Sequence, residues 1–330
     1  MLAGVIVDLE VWGLNKELTY SVPPALEDRV RVGSIVRVPL RNRRVRGWVV
    51  SVDAVTEVPE SVVPIAAVSG RGPVFDAPLL QMCHRLSRRY VAPLSSFLSL
   101  FTPVRLGRKG PLWPERPAPV HEAPSERVLW RLRPGEDPLP RYAELVAAEL
   151  EAGRGAIVAV PEVREGSRIL GALAERFPDQ AAVVHSGVDP ADRSRALWEV
   201  AAGRRRLVLG GRAALFAPGF DLGAILLHQE HDISYKEQQA PYYDARVVAE
   251  ARAAVTGARL VFVSPTPSLN LDYWAPSKAG WVIEEADRLA ERAAWPAVEV
   301  VKPPRRGLPQ RAIACILDAR RRGERSLILL

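Results

Sequence analysis

Cysteine is almost absent from these 330 residues: only Cys83 and Cys315 occur, far apart in the chain. That excludes a disulfide framework and a cysteine-built metal cluster within this stretch. Long apolar runs are absent as well. Nothing approaches the ~20 residues that span a bilayer, and Asp8 and Glu10 interrupt the first apolar segment, which argues against a secretory leader. No membrane partner is expected, and the cytoplasm is the expected compartment. Lysine is scarce too, five of 45 basic residues against 40 arginines. A GC-rich coding background produces that skew without any phosphate ligand, so the ratio carries no weight. The overall balance does: a net charge of +7 and a pI near 9.7 suit a polyanionic partner.

What is present falls into two patterns. Residues 1–105 read as a compact β-rich domain, with strands at 4–7, 33–39 and 46–52 and a loop at 41–46 that carries Arg41, Arg43, Arg44 and Arg46. Helical spacing follows at 79–90 and 94–101. Residues 106–124, rich in Pro, Arg and Gly, read as a linker. From 125 to 295 apolar strands alternate with helices, the signature of a parallel α/β lobe. Strands are expected at 128–132, 156–160, 181–184, 207–209, 224–227 and 260–263, and helices at 142–151, 164–176, 190–202 and 245–256. Residues 296–330 look like the opening of a second lobe, with strands at 298–301 and 326–330 around a helix at 308–322. The chain therefore reads as part of a longer protein.

The most informative segment is Gly223-Ala-Ile-Leu-Leu-His-Gln-Glu-His231, a buried strand that ends in His228, Gln229, Glu230 and His231. Asp232-Ile-Ser-Tyr-Lys-Glu-Gln-Gln-Ala-Pro-Tyr-Tyr-Asp-Ala-Arg246 follows it. Further signatures stand in order along the chain: Val36-Arg-Val-Pro-Leu40 with Gly47-Trp-Val-Val50, His185-Ser-Gly187, Gly211-Arg-Ala-Ala-Leu-Phe-Ala-Pro218 and Ser264-Pro-Thr-Pro-Ser-Leu269. Together they resemble the PriA family of replication-restart helicases, in the form of high-GC bacteria that has lost helicase chemistry. The resemblance implies a 3′-DNA-end-binding domain followed by a RecA-like helicase lobe and the start of a second lobe. It also implies cysteine-rich zinc sites beyond residue 330, and leaves too little linker for the winged-helix domain the family often carries.

Helicase-type ATPases end this strand in Asp-Glu-x-His, where Asp helps to hold Mg²⁺ and Glu polarises the attacking water. His228 and Gln229 take those positions here. A neutral imidazole is a poor ligand for a hard cation, and an amide cannot accept the proton. The phosphate cradle is changed as well. In the loop after the first lobe strand, Gly135 remains, but Pro138 and Leu139 fall where the family has Lys and Thr. Prolines remove amide donors, and Glu136 and Asp137 repel phosphate. Arg133 and Arg141 are either anion contacts or solvated loop residues. ATP and Mg²⁺ are therefore not expected as cofactors, and the Pro134–Pro140 loop is expected to leave the crevice shallow or occluded. His228, Gln229, Glu230 and His231 remain as a relic without a catalytic role, and no metal site is expected in this chain.

DNA remains as a partner, whether forked, single-stranded or 3′-ended. Tyr20 reads either as a base-stacking face or as a half-buried strand tyrosine, and Thr19 replaces the acid that the family uses at the 3′-hydroxyl. Arg41, Arg43, Arg44 and Arg46 are expected to contact phosphates. Tyr235, Lys236, Gln239, Tyr242 and Arg246 have the composition of a single-strand stacking platform, although Tyr242 or Tyr243 could instead pack on the sheet. The resemblance adds primosome and replication proteins as partners. The leading reading is a replication-restart DNA-binding protein without ATPase activity. The alternatives are an active 3′–5′ helicase with an atypical nucleotide site and an interaction scaffold that no longer binds DNA.

Overall fold

A computed structural model describes the chain apart from residues 10–14, 54–61, 71, 104–125, 162–166, 219–220, 272, 274–279, 286, 297, 303, 305–306 and 329–330. The expected linker at 106–124 lies outside the described residues. Contacts divide the chain into Met1–Ala286 and Asp287–Leu330.

The first strands are β1 (Leu2–Val7), β2 (Leu18–Ser21), β3 (Ile35–Leu40), β4 (Arg43–Val52) and β5 (Ala67–Ser69), which pair as an antiparallel sheet in the order β2-β1-β4-β3-β5. Period-two alternation gives this sheet two apolar faces. Ala3, Val5, Val7, Val36, Val38 and Val49 pack together on one. Ile6, Ile35 and Trp48 meet α1 (Ala77–Tyr90) and α2 (Leu94–Leu100) on the other. Gly33 is where sheet and following segment touch. Its φ is +87°, and a Cβ there would stand 1.9 Å from the carbonyl oxygen of Phe75, so only glycine fits.

The second sheet is built from β6 (Arg127–Arg131), β7 (Gly155–Ala159), β8 (Ala181–Val184), β9 (Leu207–Gly210), β10 (Leu222–His228), β11 (Arg259–Ser264) and β12 (Trp281–Glu284). All its pairings are parallel, in the order β12-β6-β11-β10-β7-β9-β8. Helices cover both faces, which is why its strands read as unbroken apolar runs. Val128, Val158, Leu226 and Val261 pack under α3 (Leu139–Glu151) and α4 (Arg168–Arg176). Ile157, Ile225, Leu227 and Phe262 face α5 (Pro190–Ala201) and α6 (Ala245–Thr256). Helix starts follow capping chemistry: the side chains of Asp76, Asp189 and Asp244 accept from the backbone amides of Leu79, Ala191 and Arg246. The fold is the expected one, a small β-rich module followed by a parallel α/β lobe. Strand β12 was not anticipated.

Residues 287–330 hold α7 (Arg288–Ala294) and α8 (Gln310–Arg321). The strands expected at 298–301 and 326–330 are not formed among the described residues, and Val298 and Val300 are 84% and 93% exposed. A strand without a neighbour has no ladder to join. Among the described residues no helix is long and apolar enough to cross a membrane.

Candidate functional site

The carboxyl ends of parallel strands are where open α/β sheets take ligands, and a cleft of about 660 Å³ lies there. Its described lining comes from the 132–138 loop, Val160 and Pro161 after β7, the start of α4, His228, Gln229 and Asp232 after β10, and Pro265 after β11. Among the described residues the crevice is an open cleft, not the shallow or occluded one expected from the proline-rich loop. That loop folds back on itself instead, through a hydrogen bond from Glu136 N to Arg133 O. Gly135 provides its turn with φ +78°, Pro138 caps α3, and Leu139 opens it.

Both arginines in the described lining of the cleft are already paired. Arg133 pairs with Glu136 at 3.3 Å, and Arg168 pairs with Asp137. Arg141 lies over the Trp130 ring at 4.3 Å and pairs with Glu284, so it is neither a solvated loop residue nor free for an anion. At the strand end, His228 Nδ1 lies 3.0 Å from the Tyr142 hydroxyl. The two rings meet edge to face, and Tyr142 meets Trp130 likewise. Burial, helped by the nearby His231, pushes the His228 pKa down to about 4, so the ring is neutral at neutral pH. Gln229 is exposed, with φ 50°.

The rest of the motif forms a buried network. Glu230 accepts from Ser268 N (2.6 Å) and Ser268 Oγ (3.0 Å), while Arg246 donates to its carbonyl at 3.0 Å. Burial raises the Glu230 pKa, and the Ser268 bonds partly offset that. His231 Nδ1 lies 2.6 Å from Ser264 Oγ. Tyr235 is fully buried, its hydroxyl between the carbonyls of Ala159 (2.9 Å) and His228 (2.7 Å). Arg246 is clasped by Asp244 through two hydrogen bonds of 2.8 and 2.7 Å.

This changes the stacking platform expected at 235–246. Tyr235 is core, because its hydroxyl finds two carbonyls inside, and Arg246 is committed to Asp244 and Glu230. Of the tyrosine pair, Tyr243 packs against Phe216 at 5.1 Å between ring centres, whereas Tyr242 is 61% exposed. Lys236 and Gln239 are exposed beside it. Arg212 grips the base of this loop through Glu237 and the carbonyl of Ser234.

In the antiparallel sheet, Tyr20 is 5% exposed and donates to the carbonyl of Pro39 at 3.0 Å. Its ring belongs to the core and is no open stacking face. The basic loop is also different in detail. Only Arg41 lies in the turn, with φ 54°, while Arg43, Arg44 and Arg46 extend β4. Cross-strand register places Arg44 opposite Pro39 and Arg46 opposite Arg37, on one face. Arg46 pairs with Asp8, with Nε at 2.6 Å, and rests near Trp48. Arg37, Arg41, Arg43 and Arg44 are exposed. Sequence reading missed Arg37. Its position two residues before Pro39 in an alternating strand was the available signal.

Comparison with known proteins follows this division. Residues 4–103 match the family model of the PriA 3′DNA-binding domain. Replication restart protein PriA of Rickettsia prowazekii is 24% identical over 313 residues, covering 89% of this chain and 47% of that protein. The probable replication restart protein PriA of Mycobacterium leprae is 30% identical over 273 residues, 74% of this chain and 42% of that protein. The chain spans somewhat less than half the length of these curated relatives. Among solved structures, RecG bound to a three-way DNA junction matches 67% of this chain at 13% identity, with a TM-score of 0.34.

Proposed function

This chain belongs to the PriA replication-restart family, whose N-terminal portion it matches, and from that membership we propose a cytoplasmic DNA-binding restart protein that does not hydrolyse ATP. It recognises forked, single-stranded or 3′-ended DNA and serves as a platform for primosome and replication proteins. One observation carries the reading: the β3–β4 hairpin, inside the matched 3′DNA-binding segment, exposes Arg37, Arg41, Arg43 and Arg44 with no acidic partner among the described residues. Like charges at that density repel unless an anion neutralises them.

The cleft residues do not fit ATP and Mg²⁺. On the family resemblance Pro138 and Leu139 take the positions of the lysine and hydroxyl that would meet phosphate and metal; Arg133 and Arg168 are spent on Glu136 and Asp137, and His228 is turned onto Tyr142. Fluorescence anisotropy with 3′-tailed and forked DNA tests the binding. Replacing Arg43 and Arg44 with Ala should weaken affinity and lower the slope of log K against log salt by about 1–2. An unchanged slope would defeat the assignment.

An ATP-dependent helicase is the second reading, favoured by the open cleft, whose ~660 Å³ falls in the ordinary range for small-molecule sites of roughly 300–1,000 Å³. Turnover assays with and without single-stranded DNA separate the two. The His228→Asp/Gln229→Glu double variant should stay inactive, because the phosphate cradle is still missing. Recovery of hydrolysis would return the helicase reading to first place.

A further inference from the structure

Helix α1 has a polar face without a single acid. Its buried side is Leu79, Leu80, Met82, Cys83 and Leu86, and its exposed side carries Gln81, His84, Arg85, Arg88 and Arg89. Every other described α-helix that bears a charged side chain includes at least one Asp or Glu. On α5 and α8 these acids pair with arginines, Asp192 with Arg195 and Asp318 with Arg322. Arg85, Arg88 and Arg89 have no such pair among the described residues. Their i, i+3 and i+4 spacing sets like charges side by side, which is unfavourable unless an anion neutralises them. The helix dipole favours a cation in the last turn. It does not account for Arg85, a turn earlier, or for a polar face free of acids.

The ridge has defined ends. Arg88 and Glu17 act on His84 with opposite sign, and Glu17 is itself bonded to Ser51 of β4. At the other end, the amide of Asp244 donates to the Tyr90 hydroxyl at 3.0 Å, and Arg89 acts on the same tyrosine. The Asp244 carboxylate is already spent on Arg246 and on capping α6. The ridge, itself inside the matched 3′DNA-binding segment, thus runs from the β4 side of the module to the base of the loop that exposes Lys236, Gln239 and Tyr242.

We infer that Arg85, Arg88 and Arg89 form a phosphate-backbone track that carries a nucleic-acid strand from the β-rich module to the Tyr242 loop of the lobe. The inference rests on the DNA-binding reading above and extends it to a surface outside the β3–β4 hairpin. Guanidinium groups at this spacing match a polyanion with closely spaced charges. A protein partner would have to bring a dense acidic cluster to the same helix face.

The test uses the 330-residue chain and labelled 3′-tailed DNA. The Arg85→Ala/Arg88→Ala/Arg89→Ala variant should bind roughly tenfold or more weakly at low salt, with a salt slope reduced by about 2. The triple Lys variant should keep most of the slope, and the triple Glu variant should lose binding. Thermal unfolding of the Ala variant should be unchanged or slightly improved, since like-charge repulsion is removed. Wild-type affinity and slope in the Ala variant, alongside a loss in the Arg43/Arg44 variant, would overturn the track and leave the hairpin reading standing. No binding by the wild-type chain would remove both.

Discussion

His228 stands where the family resemblance expects a metal-binding aspartate, and its surroundings suit a neutral imidazole. Tyr142 supplies a hydroxyl at 3.0 Å, and burial holds the ring at a pKa of about 4. In the unfolded chain a histidine titrates near 6.5. Between these values the unfolded state binds more protons than the folded one, so stability falls as pH drops from about 6.5 to 4 and is fully present above 6.5. The effect is on the order of 3 kcal/mol. Glu230 acts in the opposite sense, because its raised pKa favours the protonated, low-pH form. A comparison of variants isolates the histidine. His228→Gln should flatten the acid limb of denaturant stability between pH 6.5 and 4, and a limb identical to wild type would count against the assigned shift. Tyr142→Phe removes the partner of a half-buried ring nitrogen and should cost about 1–3 kcal/mol, read from urea midpoints at pH 7.

The β3–β4 hairpin shows what element-level reading can and cannot recover. Alternation of Ile35, Arg37 and Pro39 against Val36, Val38 and Leu40 made the strand legible, as unbroken apolar runs did for β7 and β10. The end of the turn was not legible, because Arg43 and Arg44 are exposed polar residues with no burial pattern to mark them as strand. Register then put Arg37 beside Arg46, a pairing that composition cannot reveal. Backbone at Arg41 carries a left-handed conformation, φ 54°, that a non-glycine residue adopts at a cost. Arg41→Gly should therefore raise stability by roughly 0.5–1 kcal/mol while lowering affinity for 3′-tailed DNA. Thermal unfolding and anisotropy on the same variant check both signs. Stability gained with no loss of affinity would remove Arg41 from the interface. The tyrosines mark the other limit of legibility. Tyr20, Tyr235 and Tyr243 are buried while Tyr242 is open, a sorting set by which hydroxyls find interior carbonyls or ring partners.

Residues 1–286 are joined by contacts that neither half of the sequence announces. Apolar positions in α1 and α2 were readable from their helical spacing, but not what they pack against. Phe75 and Phe101 meet edge to face at 6.3 Å, Phe101 and Phe216 at 5.5 Å, and Phe216 and Tyr243 at 5.1 Å. This ladder starts beside the antiparallel sheet and ends at the Tyr242 loop. Next to it, Arg252 is fully buried, donates to the carbonyls of Leu215 and Ala217, and has its pKa lowered by burial to about 10, with Asp76 of the α1 cap opposing that shift. Removing those partners would leave a charge buried alone, which is costly, so both modules are constrained by one charge as well as by one row of rings. The two sheets should accordingly unfold together although they differ in architecture. Phe101→Ala opens a cavity at the centre of the row and should cost about 3–5 kcal/mol. Hydrogen exchange followed by mass spectrometry gives the decisive readout. Amides of β1 and β4 in the antiparallel sheet and of β7 and β10 in the parallel sheet should lose protection by the same factor. Loss confined to β1 and β4 would mean that the β-rich module opens by itself, with the lobe left intact and the ladder serving as a dispensable contact.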